Sequence, residues 1–125
     1  MKIESVCHIY FSPTKTSREI AYAVSRAFPD LPKRDINLTV STPELQVLKP
    51  EELAIIAVPV YGGHIAPTAL KRLQNVLGEH TPVVLIAVYG NRSYGDTLVE
   101  LDAWSRRNGF IPVAAAAFIG EHSYN

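Results

Sequence analysis

Residues 53–64 read Leu53-Ala54-Ile55-Ile56-Ala57-Val58-Pro59-Val60-Tyr61-Gly62-Gly63-His64. The first six side chains are all apolar, as a strand buried on both faces requires. A strand of that kind belongs to a parallel sheet with helices on either side. The glycines then break the run, and Pro67 suits the first turn of a helix. That helix places Ala69, Leu70, Leu73, Val76 and Leu77 on one face, and Gly78 ends it. A buried strand, a glycine loop and an amphipathic helix make one half of a strand–helix–strand unit.

The same unit recurs on both sides. Ile3 to Tyr10 reads as a strand. Thr16 to Phe28 reads as a helix with Ile20, Val24, Ala27 and Phe28 on one face, and Thr16 with Glu19 fits a capping box at its start. Pro29 and Pro32 end it, and Arg34 to Thr39 reads as a second strand. Ser41-Thr42-Pro43-Glu44 offers a short helical turn with little room before Pro50. Val83 to Val88 is another doubly buried strand. A helix opened by Asp96 follows, running to Asn108 with Leu98, Leu101 and Trp104 apolar and Gly109 as its stop. Ile111 to Ile119 is the fifth strand, with Pro112 suited to a sheet edge. The order is strand, helix, strand, weak helix, strand, helix, strand, helix, strand. It implies an α/β, doubly wound, five-stranded parallel sheet.

A doubly wound domain of this size normally ends with a fifth helix, which this sequence does not supply before Asn125. With the first helix alone on its face, part of the sheet is left bare. An apolar patch results that needs a partner. The expectation is that residues 1–125 are an N-terminal piece of a longer protein, or that the bare face is buried in a homo-oligomer.

Composition narrows the function. The 125 residues carry 12 Lys plus Arg against 12 Asp plus Glu, a formal net charge of zero. The charges are mixed along the chain, which argues against a nucleic-acid binder. Hydrophobic residues make up 47% and charged residues 19%, the balance of a folded domain rather than a disordered one. The single cysteine, Cys7, cannot form an internal disulfide or, alone, a thiolate metal site. It lies within an expected strand and reads as a small buried apolar residue. No apolar run approaches the ~20 residues of a membrane span. No signal peptide is legible, so a cytoplasmic protein is expected.

Three loops leave the carboxyl ends of strands, where doubly wound sheets bind their ligands. The first, Ser12-Pro13-Thr14-Lys15-Thr16-Ser17, carries four hydroxyls at a helix N-terminus. Hydroxyls and free N–H groups there suit a phosphate. One hydroxyl would suffice for capping alone. The second, Pro59-Val60-Tyr61-Gly62-Gly63-His64, offers glycines that let backbone approach a flat ligand and a tyrosine able to stack on a ring. The third, Tyr89-Gly90-Asn91-Arg92-Ser93-Tyr94-Gly95, places polar groups and Tyr94 around a possible heterocycle. Asp96 serves there as a helix cap or as a ligand. No nucleoside-triphosphate loop motif is present.

These loops resemble those of flavodoxins. Ser12 to Ser17 is similar to that family's FMN-phosphate loop, Pro59 to Gly63 to its second flavin loop, and Tyr89 to Tyr94 to its third. The resemblance spans the chain. In Tyr10–Ser17, 91–101 and 120–124 it is nearest to the flavodoxin-like half of proteins in which such a domain precedes a ferredoxin-like domain with two [4Fe–4S] clusters. It implies strand order 2-1-3-4-5, non-covalent FMN and electron transfer. It also implies a redox partner protein, or a C-terminal ferredoxin-like domain outside these residues. Ser12, Thr14, Thr16 and Ser17, with Lys15 among them, would hold the phosphate. Tyr61 and Tyr94 would flank the isoalloxazine. Pro59, Val60, Gly62, Gly63, Gly90 and Asn91 would line its rim.

Two departures stand out. Lys15 occupies a position where that family has Gly, and is strained if the backbone there needs positive φ. The neutral charge also lacks that family's acidic face. A module that has lost FMN and serves in protein interaction, and an FMN-dependent reductase, are the alternatives. Other users of such a sheet fit poorly. A low-molecular-weight phosphatase needs Arg six residues after its Cys, where this chain has Pro13. A receiver domain needs Asp at the end of the third strand, where it has Val58-Pro59.

Overall fold

The computed structural model describes residues 2–90 and 97–119. In chain order the elements are β1 (Ser5–Tyr10), α1 (Thr16–Ser25), β2 (Lys33–Asn37), β3 (Gln46–Leu48), β4 (Glu52–Tyr61), β5 (His64–Ile65), α2 (Pro67–Arg72), a single 3₁₀ turn (Leu73–Asn75), β6 (Val76–Gly78), β7 (Thr81–Tyr89), α3 (Thr97–Arg107) and β8 (Phe110–Ile119). Five parallel strands lie in the order β2-β1-β4-β7-β8. Counted along these five alone, that is the 2-1-3-4-5 order expected from the sequence. Short β5 adds an antiparallel pairing to the end of β4.

Alternation along the central strands divides the core in two. On one face Cys7, Ile9, Ala54, Ile56, Val58, Val83 and Leu85 pack with Ala69 of α2, Leu73 of the 3₁₀ turn, and Leu101 and Trp104 of α3. On the other, Val6, Tyr10, Leu53, Ile55, Ala57 and Ile86 pack with Ala21, Ile20 and Val24 of α1. Both faces of β4 are therefore filled, which is why its sequence is an unbroken apolar run. Burial pushes the Cys7 thiol up to about 12, in keeping with an inert apolar role.

Several local expectations are corrected. Residues 41–50 form no helix. Gln46–Leu48 is a strand, pairing in parallel with β6 in a separate two-stranded sheet. Side chains reaching from the α2 region hold the connection in front of it, with the Asn75 amide donating to the Pro43 carbonyl at 2.9 Å. The helix expected to reach Leu77 stops at Arg72, because residues 76–78 pair with β3 instead. Val76 is buried by that pairing as fully as a helix would have buried it. Helix α1 ends at Ser25 rather than Phe28, and Ala27 is exposed. The capping box is absent: Lys15, not Thr16, is the N-cap.

Among the described residues α1 is the one helix on its face, as expected. It packs over β1 and β4. Strand β8 sits at the sheet edge beyond it, with a bulge where Val113 is left unpaired after Pro112. Val113 is 51% exposed and Ile119 69%, and Ile111 and Phe118 are each 39% exposed.

Candidate functional site

Strands β1, β4 and β7 are neighbours, so their carboxyl ends bring Tyr10, Tyr61 and Tyr89 to one edge of the sheet. The chain runs from β1 outward to β2 and then back to β4 on the other side of β1. The order reverses between β1 and β4, where such sheets have their crevice.

The first loop is tightly built. Phe11 N–H donates to the Ala57 carbonyl at 3.2 Å and carries the β1–β4 ladder one residue further. Lys15 N–H then donates to the Ser12 carbonyl at 3.1 Å, closing a turn with Pro13 inside it. The Ser12 hydroxyl, buried at 8% exposure, accepts the Arg18 N–H at 3.0 Å. Ser12 is thus the true capping side chain of α1, three residues ahead of the N-cap. Its own O–H is left to donate. The N–H groups of Thr16 and Ser17 open the helix and have no carbonyl one turn earlier to bind. Thr14 and Thr16 put their hydroxyl oxygens 3.4 Å apart beside them. The loop presents hydroxyls and helix-terminal amides together, the donor set that a phosphate group takes up.

Lys15 sits at φ 71° and ψ −12°, the left-handed region that favours glycine. The strain anticipated for this position is therefore present, on the order of 1 kcal/mol for a residue with a Cβ. Lys15→Gly is expected to raise stability by about 1 kcal/mol and the melting midpoint by about 4 °C. Thermal unfolding of the two proteins checks this, and an unchanged or lower midpoint contradicts it.

The second loop is tighter than an open glycine loop. β4 continues through Tyr61 and turns directly into β5, with Gly62 at φ 59° and Gly63 at φ 82°. Positive φ at both central residues is what a two-residue hairpin turn demands. A Cβ on Gly62 would meet nothing within 4 Å, so its conformation, not space, requires glycine. A Gly-Gly pair between apolar runs is itself a hairpin signal, and could have been read as one. The Thr97 hydroxyl at the start of α3 donates to the Gly63 carbonyl at 2.9 Å and anchors this turn. Tyr61 stands at the end of β4 with 54% of its surface exposed, open to stack on a ring. Pro59 is half-buried, and Val60 is buried and holds the hairpin. Gly90 follows β7 at the same edge. Asn91, Tyr94 and Asp96 lie outside the described residues.

A second polar cluster, unsignalled by any local spacing, lies beneath α1. His8 Nδ1 lies 2.9 Å from Asp35 Oδ1, and its Nε2 lies 2.8 Å from Ser25 Oγ. Ser25 donates to the Tyr22 carbonyl at 2.9 Å. Tyr10 donates to Asp35 Oδ2 at 3.1 Å, and Tyr22 donates to the same oxygen. Serine, histidine and aspartate stand in the order of a hydrolytic triad. Ser25, however, is 3% exposed, so no substrate reaches it. The cluster instead ties β1, β2 and α1 together.

Burial works to raise the Asp35 carboxyl, but the hydrogen bonds from Tyr22, His8 and Tyr10 outweigh it and hold it below the ordinary carboxylate value. The same carboxylate, followed by burial, holds the Tyr22 hydroxyl above the ordinary tyrosine range. A lowered carboxyl stabilises the fold fully above its unfolded pKa of ~3.9. That stabilisation is lost as the pH falls through the lower folded value. Urea midpoints between pH 7 and pH 3 should therefore drop below about pH 4, and less steeply in Asp35→Asn. Equal slopes in both proteins contradict this.

Among the described residues no cluster of three metal-ligating side chains occurs, and no helix is long and apolar enough to cross a membrane. No protein-family profile and no curated protein sequence matches the chain. The solution structure of two-electron reduced Megasphaera elsdenii flavodoxin superimposes with a TM-score of 0.69. The match covers 96% of this chain and 90% of that one, at 12% sequence identity. The fold is flavodoxin-like. That likeness establishes architecture and strand order.

Proposed function

We propose that the chain is an FMN-binding electron-transfer domain. The observation that carries this reading is the loop at residues 12–17. It gathers hydroxyls and the free amides of α1 at the switch point of a flavodoxin-like sheet. Ser12, Thr14, Thr16 and Ser17 would donate to the FMN phosphate, with Lys15 adding positive charge nearby. Tyr61 would cover one ring face, and the backbone of Gly62, Gly63 and Gly90 would meet the ring's polar rim. Bound FMN supplies the redox chemistry. The protein orients it, excludes water from one face and sets its surroundings.

In this role Tyr61→Ala loses one stacking surface, worth about 1 kcal/mol, and weakens FMN about fivefold. A fluorescence titration of the variant checks it, and unchanged affinity removes Tyr61 from the site. Electrons would pass to or from a protein partner, either a separate redox protein or a ferredoxin-like domain joined after residue 125.

The second reading is an interaction module without flavin, favoured by the exposed apolar side chains of β8. Saturable FMN binding by the purified chain separates the two.

A further inference from the structure

The first loop is braced from the far side of the sheet by residues that do not belong to it. Arg72, the last residue of α2, sends Nη1 to the Leu38 and Thr39 carbonyls, at 2.8 Å each. Its guanidinium lies over the Phe11 ring, 6.0 Å from the centroid. Thr39 Oγ1 accepts the Ser12 N–H at 2.9 Å, and Ser12 Oγ accepts the Arg18 N–H at 3.0 Å. Asn37 Oδ1 accepts the Thr39 N–H at 2.8 Å and completes the hold on Thr39. An unbroken series of contacts thus runs from α2, through the end of β2, into the loop and the first turn of α1.

We propose that Arg72 and Thr39 are positioning residues for the phosphate-binding loop, a proposal that rests on the FMN reading above. Neither side chain need touch the ligand. Ser12 spends its N–H on Thr39, so its backbone is fixed by the scaffold and not by the phosphate. That fixes where the Ser12 hydroxyl and the opening turn of α1 stand before any ligand arrives. Preorganised donors bind better than donors ordered on binding. Arg72 matters because it holds both carbonyls flanking the Thr39 amide, and a planar guanidinium can do this while lying over the Phe11 ring.

The test compares wild type, Arg72→Ala, Thr39→Val, Thr39→Ser and the double variant Arg72→Ala with Thr39→Val. FMN and riboflavin affinities are measured for each, together with amide hydrogen exchange of the flavin-free proteins. Arg72→Ala and Thr39→Val should each weaken FMN about tenfold. Riboflavin, which lacks the phosphate, should be unaffected, and Thr39→Ser should keep wild-type affinity. The double variant should be little worse than either single one, because both break the same series of contacts. Exchange at the Ser12 and Arg18 amides should rise in the weakened variants while β4 amides stay protected. An effect of Arg72→Ala that vanishes at high salt, with Thr39→Val unchanged, means simple charge attraction and overturns the proposal. So does unchanged Ser12 exchange. Wild-type protein that binds no FMN overturns the functional reading as well. Wild type that binds FMN, with both single variants equal to it, overturns this proposal alone.

Discussion

Gly109→Ala is expected to remove at least about 3 kcal/mol of folding free energy, a large fraction of the ~5–15 kcal/mol of an ordinary domain. Gly109 joins α3 to β8 with φ +92°, a conformation costly for any residue with a Cβ. A Cβ there would stand 2.0 Å from the Gly78 carbonyl oxygen and 2.7 Å from its carbonyl carbon. Those are backbone atoms of β6, and they cannot swing aside as a flexible side chain would. Gly78 N–H donates to the Asn108 carbonyl at 2.8 Å, and Thr81 N–H to the Gly109 carbonyl at 3.3 Å. Moving either segment therefore breaks the joint between the small β3–β6 sheet and the main sheet. Gly62→Ala makes the internal comparison, since it shares positive φ but meets open space. It should cost only about 1 kcal/mol. Urea unfolding of both variants measures the difference. Equal losses would show that the contact with Gly78 carries no weight.

The largest functional effect is expected from Thr14→Ala combined with Thr16→Ala. Each hydroxyl would donate to a charged phosphate, and such hydrogen bonds contribute about 1.5–3 kcal/mol. Losing two, about 3 kcal/mol even at the low end, should weaken FMN at least about a hundredfold. The fold should be little affected, because among the described residues the Thr14 and Thr16 hydroxyls have only each other at 3.4 Å and Ser12 does the capping. Riboflavin affinity should not change. Calorimetric titration with both flavins gives the answer, and FMN affinity within twofold of wild type would remove the two threonines from the phosphate site.

Much of the fold was legible because periodicity speaks directly about burial. The unbroken apolar run at residues 53–58 marked the central strand, and Leu101 and Trp104 marked the inner face of α3. The first failures came where one pattern serves two conformations. Val76 is buried whether residues 76–78 are helix or strand, and only the distant β3 decides. Residues 41–50 carry weak local signals, and Asn75 settles their path from 32 positions beyond Pro43. The capping box failed for a related reason. Thr16 and Glu19 have the right spacing, but the turn closed by Lys15 and Ser12 shifts the helix start by one residue.

The candidate site was legible in part. Hydroxyls at a strand–helix junction and a tyrosine before paired glycines are local features, and both lie at the switch point. What holds them there is not local. Thr39, Arg72 and Thr97 act on residues 27, 33 and 34 positions away, and no spacing rule connects them. The cluster of His8, Asp35, Tyr22 and Ser25 was hidden likewise. It assembles only once β1, β2 and α1 are packed.

On the proposed reading, this flavodoxin-like sheet holds FMN by its phosphate at residues 12–17. The most direct measurement is a titration of the purified chain with FMN, followed by flavin fluorescence and the visible spectrum, with riboflavin alongside. Saturable quenching by FMN at one site per chain, with riboflavin at least about tenfold weaker, is the expected result. Equal binding of both flavins would contradict the phosphate assignment, and binding of neither would contradict the claim as a whole.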